Sequence, residues 1–405
     1  MAKAAKYDMK PLRYCLANGR VIVPYDIIDA AGVLVEGSRV SDVGPVQNLQ
    51  IEPGTEIIDV EGAYIAPGFI DIHLHGGGGA DTMDGVPDAL RTMAQVHARG
   101  GATGIVATTL SSSMEDLRAA IAAFDVAAQC DGGGAKLIGL HLEGPYFSAA
   151  QNGAQDKRYL RNPSPDEYLP ILDSSGSIMR VSAAPELSGA LELGRVLRRR
   201  GILASIGHTD ATYDDVLIAV EAGYSHVTHI YSAMSAVERI NGYRIGGVVE
   251  SGLLLDELTV EVIADGKHLP PCLLKLVYKC KGPDRIALVT DAIRAAGMPP
   301  GEYSLGSVDD GQAVVVEDGV GWIADRTAFA GSIALSNRLV RNMILLAGVG
   351  IEPAVRMASL TPARIMGIDD HKGSLARGKD ADIVVFDDDI EVLMTVVEGN
   401  VVYKA

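Results

Sequence analysis

Strand-length apolar runs alternate with stretches of helical periodicity through most of the chain. Eight runs end near His75, Leu110, Gly144, Pro185, His208, Ser232, Asp265 and Asp291. Helical stretches follow at 87–100, 114–129, 188–200, 212–223, 270–280 and 334–349. Pro87 and Pro270 suit helix starts, and Ser188 and Thr212 suit N-caps. No clear helix follows the sixth run, over 235–258. The two ends of the chain read differently. RVIVPYDIIDAAGVLVEGSRVSDVG and GSLARGKDADIVVFDDDIEVLMTVVEGNVVYKA are both strand, turn, strand. Each is too small for a core of its own, but together they can form one sheet domain. The pattern predicts an α/β protein: a (β/α)8 TIM-like barrel over 63–374, with a small discontinuous β domain, a β-sandwich, from 1–62 and 375–405.

Composition narrows the partners. The 405 residues are 48% apolar and 21% charged, which is ordinary for a globular protein of this size. Lys and Arg number 35 against 52 Asp and Glu, a net charge of −17. So acidic a chain lacks the clustered positive charge that nucleic acid or an anionic membrane requires, and an anionic substrate needs a local basic pocket. Cys15, Cys130, Cys272 and Cys280 are scattered, which argues against a disulfide framework and a thiolate zinc site. Lys3, Lys6 and Lys10 precede no apolar signal region, and no apolar run is long enough to span a membrane. A soluble, cytoplasmic protein is expected.

Histidine placement supplies the chemistry. Of the nine histidines, His73, His75, His208, His229 and His268 fall at or just past predicted strand ends, the face where barrels carry their active sites. His73 and His75 are two residues apart in APGFIDIHLHGGGG, so both imidazoles point the same way. Alone, such a pair is either a metal ligand set or two satisfied core histidines. Glu143 ends the third strand in HLEGP, where an acid among apolar residues is costly unless it meets a cation. By alternation Val289 shares a face with Asp291, and Val227 with His229. His226 then faces away from His229, as a core or interface residue. The order His-x-His, Glu, His, His, Asp along successive strands is more specific than any member. Imidazole and carboxylate donors suit a divalent cation, best Zn2+, with Fe2+, Mn2+ or Co2+ also compatible.

This order resembles the amidohydrolase superfamily and, more narrowly, the N-acetylglucosamine-6-phosphate deacetylases. The likeness rests on PGFIDIHLHGGGG, GLHLEGPYF, GAQ at 153–155, GHTDA, THIYSAM, ADGKH, VTDA at 289–292, AGS at 330–332 and SLTPARIMGI followed by KGSLARGKDADIVVFD. The fourth strand, in MRVSAAPEL, carries no lysine of the kind that related hydantoinases carboxylate, and the resemblance implies that Glu143 takes that bridging role. The resemblance implies a barrel of the metal-dependent hydrolase type with one or two metals per subunit. Glu143, His208 and His229 would hold one metal. His73 and His75 would hold a second, with Glu143 and Asp291 shared or nearby.

The resemblance also implies a reaction. A metal-acidified water attacks the acetamide carbonyl, His268 helps to stabilise the oxyanion, and Asp291 passes the water proton to the departing amine. The substrate would be N-acetylglucosamine 6-phosphate, cleaved to glucosamine 6-phosphate and acetate. The backbone at Ala154 and the side chain of Gln155 would contact the sugar, and N–H groups at Ser232 and Ala233 the phosphate. Ser232 stands where the family commonly has Asn, and the arginine-bearing loop that follows is altered. Arg239 or Arg244 would supply the basic charge, in the family from across a homodimer interface. Another N-acetylated sugar, such as N-acetylgalactosamine 6-phosphate, and a non-catalytic scaffold are the alternatives.

Overall fold

Strands covered on both faces explain the continuous apolar runs. The computed structural model describes residues 13–130 and 132–405. The first twelve residues of the expected β domain, with Lys3, Lys6 and Lys10, lie outside them. Strands β1 (Phe69–Leu74) and β2 (Ala102–Thr108) are buried along their whole length. They continue into β3 (Lys136–Glu143), β4 (Ile178–Ala183), β5 (Leu203–Ile206), β6 (Tyr224–Val227), β7 (Thr259–Val262) and β8 (Ile286–Leu288). These eight pair in parallel, each with its neighbour in chain order, and the sheet curls on itself. Its edges meet at one mouth. There Leu74 and Ala292 form a parallel bridge, Asp291 N donates to His73 O (2.9 Å) and His75 N donates to Ala292 O (2.8 Å).

A helix follows every strand: α1 (Pro87–Arg99), α2 (Met114–Ala127), α3 (Pro165–Leu172), α4 (Ala190–Arg200), α5 (Tyr213–Ala222), α6 (Val248–Leu254), α7 (Pro271–Lys281) and α8 (Ser336–Ala347). Pro87 occupies the first turn of α1, and Thr212 caps α5 in a reciprocal box with Asp215. Ser188 does not cap α4. The cap is Gly189 at φ 88°, where any Cβ would lie 2.5 Å from Pro163 O. Helices α3 and α6 are absent from the pattern of the sequence. One is eight residues long with Pro170 inside, the other seven with Gly252 inside, so neither shows a sustained period.

Both ends of the chain contribute to one further sheet. Its strands run Asn400–Lys404, Val392–Val397, Ile383–Phe386, Tyr64–Pro67, Arg13–Val23, Asp26–Glu36 and Arg39–Pro45, with Glu56–Asp59 alongside Arg13–Val23. Leu16, Val33, Ile65, Ile383 and Val396 form its core. Phe386 stacks between Tyr64 and Phe69, the first residue of β1, and so links this sheet to the barrel.

Two features had no counterpart in the sequence pattern. An antiparallel four-stranded sheet (Gly301–Leu305, Gln312–Glu317, Val320–Ile323, Phe329–Ser332) is inserted between β8 and α8. A short hairpin, Glu238–Ile240 with Tyr243–Ile245, follows β6 and turns through Asn241 and Gly242, both at positive φ. The four cysteines are free, and among the described residues no helix is long and apolar enough to cross a membrane.

Candidate active site

The strands stop short of the residues they deliver. β5 ends at Ile206, β6 at Val227 and β8 at Leu288. His208 (φ 48°), His229 (φ 27°) and Asp291 (φ 47°) then lie in the left-handed region. Strand alternation therefore does not decide where His229 and Asp291 point, contrary to the expectation from Val227 and Val289. Such backbone costs about 1–3 kcal/mol per residue and persists only where neighbours hold it. Here Ser148 N donates to His208 O (2.9 Å), His229 N donates to Glu261 (3.0 Å), and Ser332 N donates to Asp291 O (2.9 Å).

Six side chains converge as two groups of three, His73 with His75 and Asp291, and Glu143 with His208 and His229. Within each group the ligand atoms lie within 4.8 Å of one another. Glu143 lies between the groups. Its Oε1 is 3.1 Å from His229 Nε2 and 3.3 Å from both His208 Nε2 and His73 Nε2. Its Oε2 is 3.2 Å from His75 Nε2. Asp291 Oδ1 stands 3.3 Å from His75 Nε2 and 3.6 Å from His73 Nε2.

The outer ring nitrogens show what this centre needs. His75 Nδ1 faces Thr108 O (3.3 Å) and His208 Nδ1 faces Gln151 O (3.0 Å). A carbonyl only accepts, so these nitrogens carry the proton and each Nε2 presents a lone pair inward. His73 Nδ1 likewise donates to Glu261 Oε2 (2.9 Å), and its buried Nε2 makes no hydrogen bond. His208 and His229 bring their Nε2 atoms within 3.2 Å of each other. Lone pairs and carboxylates facing one another at these distances require positive charge between them. Burial opposes a charge on His73 and His75, but Glu143, Glu261 and Asp291 outweigh it, raising His73 to about 9 and His75 well above its usual value. The donor set fits a divalent cation, with outer-shell acceptors orienting each ring.

These groups floor a cavity of about 180 Å³. Ala154 and Gln155, Ser232 and Ala233, and His268 line it, as do Leu110 from the end of β2 and Leu305, Phe329 and Ala330 from the inserted sheet. Of the expected substrate contacts, those of Ser232 and Gln155 need correction. Arg239 and Arg244, expected from across a dimer interface, do not line this chain's own cavity. They face each other across the exposed hairpin. The Ser232 N–H is not free for phosphate, since it donates to His229 O (2.9 Å). The Gln155 side chain is engaged at both ends: Nε2 donates to Glu143 Oε2 (2.8 Å), and Oε1 accepts from Ser111 N (2.7 Å).

Other residues were missed in sequence. Asp265 accepts from both the backbone N–H and Nδ1 of His268 (2.9 Å each), and Phe329 packs on that ring. Glu261 and Arg180 form a fully buried ion pair beneath the ligands. The reasoning that marked Glu143, an acid in an apolar strand, applies equally to Glu261 in TVEVIAD. His226 is the expected core residue, with Nδ1 2.6 Å from Thr259 Oγ1.

Comparison with known proteins agrees with this geometry. The amidohydrolase family model matches residues 64–402. An N-acetylglucosamine-6-phosphate deacetylase of Vibrio furnissii is 38% identical over 84% of this chain and 83% of its own. An N-acetylgalactosamine-6-phosphate deacetylase of Escherichia coli O157:H7 is 36% identical over 86% of this chain and 91% of its own. The structure of the N-acetylglucosamine-6-phosphate deacetylase of Pasteurella multocida superposes with a TM-score of 0.90 at 29% identity, covering 97% of this chain and 100% of that one. A mutant of the Mycobacterium smegmatis enzyme in complex with N-acetyl-D-glucosamine-6-phosphate gives 0.88 at 30% identity, with the same coverage. The chain belongs to the amidohydrolase family, a family of metal-dependent enzymes, on the branch that holds the N-acetylglucosamine-6-phosphate deacetylases.

Proposed function

We propose that the protein hydrolyses N-acetylglucosamine 6-phosphate to glucosamine 6-phosphate and acetate. The observation that carries this is the pair of ligand groups sharing Glu143 on the floor of a cavity that also presents the His268–Asp265 pair. Glu143, His208 and His229 would hold one divalent cation, and His73, His75 and Asp291 a second, with Zn2+ best matched to the donors and Fe2+, Mn2+ or Co2+ compatible. When bound, the cation supplies Lewis acidity that lowers the pKa of water and polarises the acetamide carbonyl.

The protein's own groups handle the protons. Burial works against ionisation of Asp291, but His75, His73 and His229 outweigh it and hold the carboxylate below its usual range. As the base form it accepts the water proton while the new C–O bond forms. It then gives that proton to the nitrogen as the C–N bond breaks, so the product leaves as a neutral amine. Asp265 orients the His268 ring through Nδ1, and in this reading that ring, which lines the cavity, stabilises the oxyanion that develops at the carbonyl. Ala154, Gln155, Ser232 and Ala233 line the space the sugar would occupy.

Among the described residues no Arg or Lys lines the cavity, so in this reading the phosphate charge is met from outside it. The hairpin exposes Val237, Ile240 and Tyr243 beside Arg239 and Arg244, a surface suited to a second copy. In this reading the protein is a homodimer whose hairpin arginines reach the partner's substrate. The sheet to which both ends contribute, described over 13–67 and 383–404, is the small β domain of this reading, set against the barrel. A cytoplasmic location follows from a phosphorylated substrate.

Acetate release from N-acetylglucosamine 6-phosphate by purified protein supplied with Zn2+ tests the assignment. Ser232 and the N-acetylgalactosamine-6-phosphate deacetylase relative favour the second sugar phosphate as an alternative. The better substrate of the two, each with and without phosphate, decides between them. No release from either overturns both readings.

A further inference from the structure

The polar layer under the ligands holds a carboxylate that no step of the reaction uses. Glu261 lies mid-strand in β7 between Val260 and Val262, with no solvent exposure. A carboxylate so placed is costly unless paired. Arg180, equally buried on β4, meets its Oε1 through Nη1. The same guanidinium donates to Ile72 O (3.2 Å), Ser205 Oγ (3.2 Å) and Thr228 Oγ1 (2.9 Å), which fixes the pair in place. Glu261 Oε2 is left to accept two further bonds, from His73 Nδ1 (2.9 Å) and from the backbone N–H of His229 (3.0 Å). These two residues belong to different ligand groups.

We propose that Glu261 is a positioning residue that couples the two cation positions, because one carboxylate oxygen fixes a ligand of each. At His73 it holds Nδ1–H as the donor and so fixes the ring with Nε2 turned to the ligand group. At His229 it satisfies the N–H of a residue held at φ 27°, and thereby aims the ring whose Nε2 lies 3.1 Å from Glu143. Loss of Oε2 as a charged acceptor releases both ligands together. The inference rests on the reading that the six residues hold divalent cations.

The test titrates metal-free protein with Co2+, followed by visible absorption and by metal analysis after dialysis. It compares the parent, Glu261→Gln, and Glu261→Gln combined with Arg180→Met. The double variant removes the guanidinium that the single one leaves uncompensated, so a folding failure of the single variant does not block the measurement. The parent takes up two equivalents. The variants, with parental circular dichroism, bind both equivalents about 10–100-fold more weakly and with an altered Co2+ spectrum. His226→Gln, which changes a neighbouring buried imidazole 3.4 Å from Glu261 Oε1, retains both. Parental affinity at either position in the variants, a parent that takes one equivalent, or a like loss in His226→Gln overturns the proposal. A parent that binds no metal overturns the metal reading beneath it.

Discussion

Asp291 is where the account is most exposed to a single substitution. It is a member of the first ligand group, it lines the cavity, and it carries the proton between water and amine. Asp291→Asn keeps the shape and removes the base. The variant is expected to lose about 10²–10⁴-fold in kcat while the Glu143, His208 and His229 group still retains metal. Near-parental kcat would contradict the proton role. A second prediction concerns acid stability. Burial pushes His97 down to about 4, with its Nε2 on Gly76 O (2.9 Å). Below its ordinary value near 6.5, the unfolded chain binds a proton that the folded chain refuses. Its contribution is therefore harmless above about pH 6.5 and erodes stability as the pH falls toward 4, by up to about 1.4 kcal/mol per pH unit. His97→Gln should flatten the fall of the urea midpoint over that window, and a parental slope would refute the attribution. At this scale the sequence was legible wherever a ligand type recurred at a strand end. His73, His75, Glu143, His208, His229 and Asp291 stood out together. Glu261, Arg180 and Asp265 did not, because their meaning depends on which strands are neighbours.

Elements were legible in proportion to their length. The long helices α1, α2 and α5 declared themselves through period, proline starts and the Thr212 cap, whereas α3 and α6 are too short for a period to emerge. The sheet inserted at 301–332 belongs to neither rhythm of the chain, yet it supplies Leu305 and Phe329 to the cavity wall. Arg294 ties this sheet to the glycine loop after β1. It donates to Ser304 O (3.1 Å) and Gly306 O (2.6 Å) on one side, and to Gly79 O (2.7 Å) and Asp84 Oδ1 (2.6 Å) on the other. Arg294→Met leaves the half-buried Asp84 without its partner, and the expected destabilisation is about 1–3 kcal/mol. Activity should fail mainly through KM, because the cavity wall loosens while the ligand groups stay in place. A drop in kcat alone, with parental KM and stability, would contradict this role.

For the whole molecule, the net charge is −17 and among the described residues no Arg or Lys lines the cavity, so the proposed reading assigns the phosphate to the exposed hairpin. Replacing Arg239 and Arg244 together with Ser should raise KM for the phosphorylated sugar by about 10-fold or more, the scale of a charged hydrogen bond. The metal content should not change. An unchanged KM would remove the hairpin from the site. Metal also couples to folding, since a cation bound only by the native state stabilises it by mass action. Chelation should therefore lower Tm, and Zn2+ should restore it. All of this depends on the six side chains meeting around bound cations. Crystals grown with Zn2+ and measured at the zinc absorption edge test that most directly. The account predicts anomalous peaks within coordination distance of Glu143, His208 and His229, and of His73, His75 and Asp291. Diffraction from zinc-saturated protein with no peak at either group would contradict it.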